Sequence, residues 1–302
     1  MINHSKNDSY VDKFWDKHII PTLLDYIRIP NKSPDFDPEW INNGHMASAL
    51  KLAKDWAEKH KPDGSTVYTF QEDKRTPLII IDCPGNIKGN ILMYGHLDKQ
   101  PEMQGWNDGL GPWKPVIQGD NLYGRGGADD GYAMFAATAV VRSLQDQNID
   151  HPRIIILIEF SEESGSPDLP YYLNKYESEI GKPNLVICLD SGVGNYEQFW
   201  MTTSLRGLIG ITIRIDVLTE GVHSGGASGI VPSSFRILRK LLSKIEDENS
   251  GKIKINEFYS DFPLHRKIEL DECVEVLGNE IIYVYPLKKK CQLNRVKINR
   301  SE

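Results

Sequence analysis

Cysteine is scarce in this 302-residue chain and carries no pattern. Cys83, Cys188, Cys273 and Cys291 include no CxxC pair. That excludes a disulfide framework and a cysteine-ligated zinc site, and it predicts reduced thiols in a cytoplasmic protein. Long apolar runs are missing too. The longest near-continuous one, residues 154–158, falls far short of the roughly 20 residues that span a bilayer, so no membrane role is expected. The polar opening MINHSKNDSY lacks the apolar core of a secretory signal. There is no basic excess: 35 basic against 42 acidic residues give a net charge of -7, which argues against a nucleic-acid partner. The charge is unevenly spread. Residues 280–302 hold six basic and two acidic side chains, and the preceding stretch holds 29 and 40. Internal repeats and low-complexity segments are absent. What remains is 40% apolar and 25% charged, a globular balance with length for one large or two ordinary domains.

Apolar residues at helical spacing predict an amphipathic helix over 10–28, with Pro21 inside it as a kink. A second helix is expected over 45–60. The period then shortens. Segments 65–70, 78–82, 91–94, 154–160 and 185–189 are short, apolar and β-branched, and read as strands. Helices are expected over 130–144 and, more weakly, 167–179. Strands alternating with helices, each strand nearly all apolar, predict an α/β fold: a layered mixed sheet with helices on both faces. After Asp190 the texture changes. The alternating stretch LIGITIRIDV (208–217) reads as a half-exposed strand, followed by a Gly/Ser-rich loop, a helix over 232–245 and a strand over 253–258. Three segments are expected: 1–203, a smaller α+β domain over 204–279, and an atypical basic tail over 280–302.

Histidine and carboxylates collect just past the ends of the expected strands: His96 and Asp98 in YGHLD, Asp129 and Asp130 in GRGGADDG, Glu162 and Glu163 in EFSEESGS, and Asp190 in CLDSG. Open α/β sheets bind ligands outside the carboxyl ends of their strands. Four strand ends delivering hard nitrogen and oxygen donors to one crevice suit Zn²⁺, Mn²⁺ or Co²⁺. His96 and Asp98, two apart on a strand, point to one side, so Asp98 can orient the imidazole. Adjacent Glu162 and Glu163 repel unless a cation is present. A metal on Glu163 would leave Glu162 as general base. Each motif alone has an ordinary reading: a capped turn, a helix N-cap, a solvated surface pair. Their occurrence in series carries the argument.

Together these residues resemble the dinuclear zinc exopeptidases, which include carnosinase-like and cytosolic nonspecific dipeptidases, aminoacylases, carboxypeptidase G, acetylornithine deacetylase and succinyl-diaminopimelate desuccinylase. The segment YGHLDKQPEMQGWNDGLGPWKPVIQGDNLYGRGGADDG, with EESGS and SLRGL, is similar to the dipeptidase branch. The resemblance covers roughly residues 10–270. It implies a two-metal hydrolase of dipeptides or short peptides. His96 and Asp190 would bind one metal, Asp129 would bridge, Glu163 would bind the second, and Glu162 would be the base. It also implies a homodimer formed through a lid domain, whose His223, in VHSGG, would reach the neighbouring subunit's site and stabilise the oxyanion there. An N-acyl amino acid deacylase and an inactive fragment are the alternatives. Two departures stand out. Family members usually continue Asp-Asp with Lys-Gly, and here Gly131-Tyr132 follows. The family chain also returns from the lid to complete the sheet and supply a final metal-binding histidine. Here no histidine follows His265, so a truncated reading frame is expected.

Overall fold

The computed structural model describes residues 1–72, 74–280 and residue 285. The expected basic tail lies outside the described residues apart from Glu280 and Tyr285. The chain divides into two compact units, Met1–Gly192 and Val193–Glu302.

The first unit opens with α1 (His4–Phe14) and α2 (Ile20–Ile27), joined by a π-helical turn, Trp15–Ile19. Proline at 21 has no N–H to donate, and in an unbroken helix its ring would clash with the carbonyl four residues back. The widened turn, where Ile20 N–H bonds Trp15 O, absorbs that conflict, so the expected kink is a π-bulge. Then come α3 (His45–His60), β1 (Thr66–Phe70), β2 (Leu78–Cys83), β3 (Asn90–His96), a small hairpin of β4 (Val116–Gln118) and β5 (Asn121–Tyr123), α4 (Ala133–Asp146), β6 (Arg153–Glu159), α5 (Leu169–Lys175), α6 (Glu177–Ile180) and β7 (Leu185–Cys188).

Five strands form one mixed sheet in the order β1-β2-β6-β3-β7. The β1-β2 and β2-β6 pairs are antiparallel; β6-β3 and β3-β7 are parallel. Side chains alternate across a sheet, so the isoleucine-rich centre feeds two cores. Ile79, Ile81, Ile154, Ile156 and Ile158 pack with Phe14, Ile27, Trp56 and Phe135 from α1–α4. Leu78, Ile80, Ile155 and Leu157 pack on the opposite face against Tyr172 and Ile180. This is the layered α/β fold that the sequence predicts. The β3–β6 register pairs His96 with Glu159, so both parallel strands end level, at one rim.

The second unit departs from expectation. Among its described residues lie α7 (Ser224–Ala227), α8 (Ser234–Ile245) and α9 (Leu264–Leu277), and no strand. LIGITIRIDV has the alternation of a strand but no neighbour to pair with among the described residues. Leu208, Ile209 and Ile211 stay exposed, and without a ladder the segment has nothing to hold it extended. Residues 253–258 supply one bridge, Ile253 with Glu246, and a 3₁₀ turn over Asn256–Phe258. The unit boundary falls at Gly192, ahead of the expected 203. Past Asp190 the chain hydrogen-bonds locally, with Asn195 Oδ1 accepting from Glu197 N–H, Gln198 N–H and Trp200 Nε1.

Candidate metal centre

The rim where β3, β6 and β7 end gathers six of the seven expected residues. His96 closes β3 with its ring fully buried. Its Nε2 lies 3.2 Å from Asp129 Oδ1, 3.7 Å from Asp190 Oδ2 and 3.8 Å from Glu162 Oε2. Ligand atoms of His96, Asp129 and Asp190 all lie within 4.8 Å of one another, and so do those of His96, Glu162 and Glu163. Glu162, expected as a base, therefore stands within ligand reach. The seventh residue, His223, belongs to the second unit, where its Nδ1 accepts the Gly225 N–H and caps α7.

Asp98 does more than face His96. Its Oδ1 is 3.3 Å from Nδ1, off the hydrogen-bond direction. Its two oxygens also accept the Glu162 N–H at 3.1 Å and the Glu163 N–H at 3.0 Å. One buried carboxylate thus ties the end of β3 to the turn after β6. Asp130, given no role by the sequence, is fully buried and accepts the His96 N–H at 3.1 Å. Gln100 Nε2 donates to Glu163, and Tyr132 OH donates to the Leu189 carbonyl beside Asp190. Lys99 is buried, with no carboxylate partner among the described residues. It donates to the Tyr26 and Ile29 carbonyls and lies 3.8 Å from the Tyr26 ring centroid, and burial holds its ammonium pKa well below the usual value. Nearness to a motif residue was the one signal in the sequence for Asp130, Lys99 and Gln100.

The missing Asp-Asp-Lys lysine has a steric account. A Cβ at Gly131 would come closer than 3.0 Å to both Gly126 O and the Tyr26 ring. A Cβ at Gly126, which sits at φ 81°, would meet the Lys99 stem at similar range. Tyr26 and Lys99 thus fill the space beneath the turn that carries Asp129 and Asp130.

Charge is out of balance here. Burial pulls the His96 imidazole down, but Asp129, Asp98 and Asp130 outweigh it and hold it up at about 11. The hydrogen bond from His96 keeps Asp129 low. Burial pushes Asp130 up to about 8 and Glu163 to about 7, and raises Glu162 and Asp190. Among the described residues, His96 is the one cation within 4.0 Å of these carboxylates. Glu163 Oε1 is buried with no hydrogen-bond partner. Hard oxygen donors in excess, one imidazole and an orphaned carboxylate oxygen fit a divalent cation.

Sequence relatives point the same way. The chain is 30% identical over 177 residues to the probable di- and tripeptidase DUG2 of Saccharomyces cerevisiae, matching 58% of this chain and 20% of that one. It is 26% identical over 267 residues to the Beta-Ala-His dipeptidase of Rattus norvegicus, matching 83% of this chain and 52% of that one. The chain therefore spans about half or less of these curated relatives. The fold is similar to that of the di-peptidase Dug1p from Saccharomyces cerevisiae (TM-score 0.59, 19% identity, covering 91% of this chain and 61% of that one). It is also similar to the metallo-carboxypeptidase Sso-CP2 from Sulfolobus solfataricus (TM-score 0.61, 20% identity, covering 90% and 60%). The family model of Peptidase family M20/M25/M40 matches residues 92–281, well over half of the chain and all of the rim described above, and the chain belongs to that family.

Proposed function

We propose that this rim is the metal centre of a hydrolase acting on dipeptides or short peptides. The observation that carries the reading is the pair of overlapping ligand sets that share His96. Names of the relatives, a di- and tripeptidase and a Beta-Ala-His dipeptidase, support the substrate class. His96, Asp129 and Asp190 would hold one ion, and Glu163, sharing Asp129, a second. Zn²⁺, Mn²⁺ or Co²⁺ suits the donors. Bound there, such ions would supply Lewis acidity to the scissile carbonyl and bring the pKa of water toward about 7.

Glu162 takes a proton from the attacking water as the C–O bond forms, and passes it to the amine as the C–N bond breaks. Burial favours that task by raising the Glu162 pKa from its ordinary value. Asp98 fixes the base by holding the Glu162 and Glu163 amides. Residues 204–279 would be part of a lid through which a homodimer forms, with His223 serving the neighbouring subunit. The scattered cysteines, of which Cys83, Cys188 and Cys273 are free, support a location in the cytoplasm.

Glu162→Gln tests the assignment. Metal stoichiometry and hydrolysis of a dipeptide panel are measured on the same protein. Lost turnover with retained metal is expected. Lost metal would make Glu162 a ligand and overturn its role as base.

A further inference from the structure

Glu159, the last residue of β6, is a charged side chain in the most buried strand of the fold, 2% exposed. No ion pair partners it among the described residues, and burial raises its pKa. Three hydroxyls surround it instead. Oε1 accepts from Tyr94 OH at 2.6 Å and Ser166 Oγ at 2.7 Å; Oε2 accepts from Ser161 Oγ at 3.2 Å. Ser161 and Ser166 are the two ends of the turn that presents Glu162 and Glu163. Ser161 O accepts the Ser164 and Ser166 N–H groups, and Glu162 O accepts the Gly165 N–H at 2.7 Å. The turn closes through two successive left-handed residues, Gly165 at φ 81° and Ser166 at φ 52°. Glycine tolerates that region, but serine adopts it only when something holds it there. The bond from Ser166 Oγ to Glu159, with the Ser166 N–H bond to Ser161 O, holds it there.

Two buried carboxylates therefore grip this turn from different sides. Asp98 takes its amides, and Glu159 takes its ends by their hydroxyls. We infer that Glu159 is a positioning residue, a clip that closes the 161–166 turn and so sets the direction in which Glu162 and Glu163 face the metal centre. An acceptor-only carboxylate suits the role, because it forces all three hydroxyls to point inward as donors. The proposal rests on the metal-hydrolase reading above, but its test does not use turnover.

The experiment compares the full chain with Glu159→Ala and Glu159→Gln. It reads backbone hydrogen exchange and Zn²⁺ affinity by competition with a chromophoric chelator. In Glu159→Ala, exchange over 161–166 is expected to rise at least about tenfold while 153–158 stays protected, and Zn²⁺ affinity to fall about 10- to 100-fold, the usual range for residues that support metal ligands. Glu159→Gln keeps an oxygen for Tyr94 and Ser166, and Ser161 Oγ can rotate to accept from its amide, so both readouts are expected to return. Unchanged exchange over the turn, a rise spread equally along β6, or unchanged Zn²⁺ affinity overturns the proposal. If Glu159→Ala does not fold, Ser166→Ala, which breaks one of the three bonds, gives the same localised change or overturns it. A chain that binds Zn²⁺ yet cleaves no dipeptide sinks the functional reading and leaves the clip standing.

Discussion

Restoring the family's lysine should damage this protein. In Gly131→Lys, or more simply Gly131→Ala, the new Cβ meets Gly126 O and the Tyr26 ring at less than 3.0 Å. Neither neighbour can retreat cheaply. Gly126 O accepts the Gly131 N–H at 2.9 Å, and Tyr26 is fully buried against Lys99. Overpacking costs about 1–3 kcal/mol, and losing the Gly126–Gly131 hydrogen bond adds about 1 kcal/mol. The total of about 2–4 kcal/mol lowers Tm by roughly 4–16 °C for a unit of this size. Asp129 and Asp130 ride on the same turn, so Zn²⁺ affinity should fall with it. Thermal unfolding with and without Zn²⁺ measures both. A Gly131→Ala protein with wild-type Tm would refute the steric account of the missing lysine. A partial rescue in Tyr26→Ala/Gly131→Ala, relative to the sum of the single changes, would locate the clash at the tyrosine ring.

Other outcomes follow from the same geometry. Asp98→Asn replaces one acceptor oxygen by a donor facing an amide N–H. It should cost about 1.5–3 kcal/mol, the range for bonds to a charged group, seen as a shift in the denaturation midpoint. The metal-free protein should lose stability as pH rises from about 4 to 8. Asp130 and Glu163 keep their protons up to about 8 and about 7 when folded and release them near 4 when unfolded. His96, raised to about 11, extends the decline above pH 6.5. Saturating Zn²⁺ should flatten the curve, and a metal-free Tm that climbs between pH 5 and 8 would contradict this. Phe135→Ala removes a ring packed edge-on to Trp56 at 4.6 Å and should cost about 3–5 kcal/mol in chemical denaturation.

The sheet of the first unit was legible because its central strands, β2 and β6, are buried on both faces. An apolar run such as 154–158, four isoleucines and a leucine, has few other places to go. The strand-end residues followed from the same signal, since a polar group directly after an apolar strand falls at the rim. Less local facts were hidden. Alternation in 208–217 reports which faces differ, not whether a neighbour exists. The β4-β5 hairpin, with Gly119 at φ 60° in its turn, was too short to show a period. Asp98 reads as a partner of His96, but nothing in YGHLD says that its oxygens reach amides beyond residue 160. Glu159 carried a readable sign, a lone carboxylate at the end of an apolar run, yet that motif is commonplace on solvated strands.

Strand β7 has a single neighbour, β3, among the described residues, and its Leu185 and Val186 remain exposed. Asp190 hangs just past this strand, whereas His96, Asp129 and the two glutamates hang from the centre of the sheet or from turns tied to it. Elements with one partner open first and at least cost. Fraying of β7 would withdraw one ligand and leave the other three in position. The lifetime of a bound ion would then be governed by the edge of the sheet, and its release would need no loosening of the core.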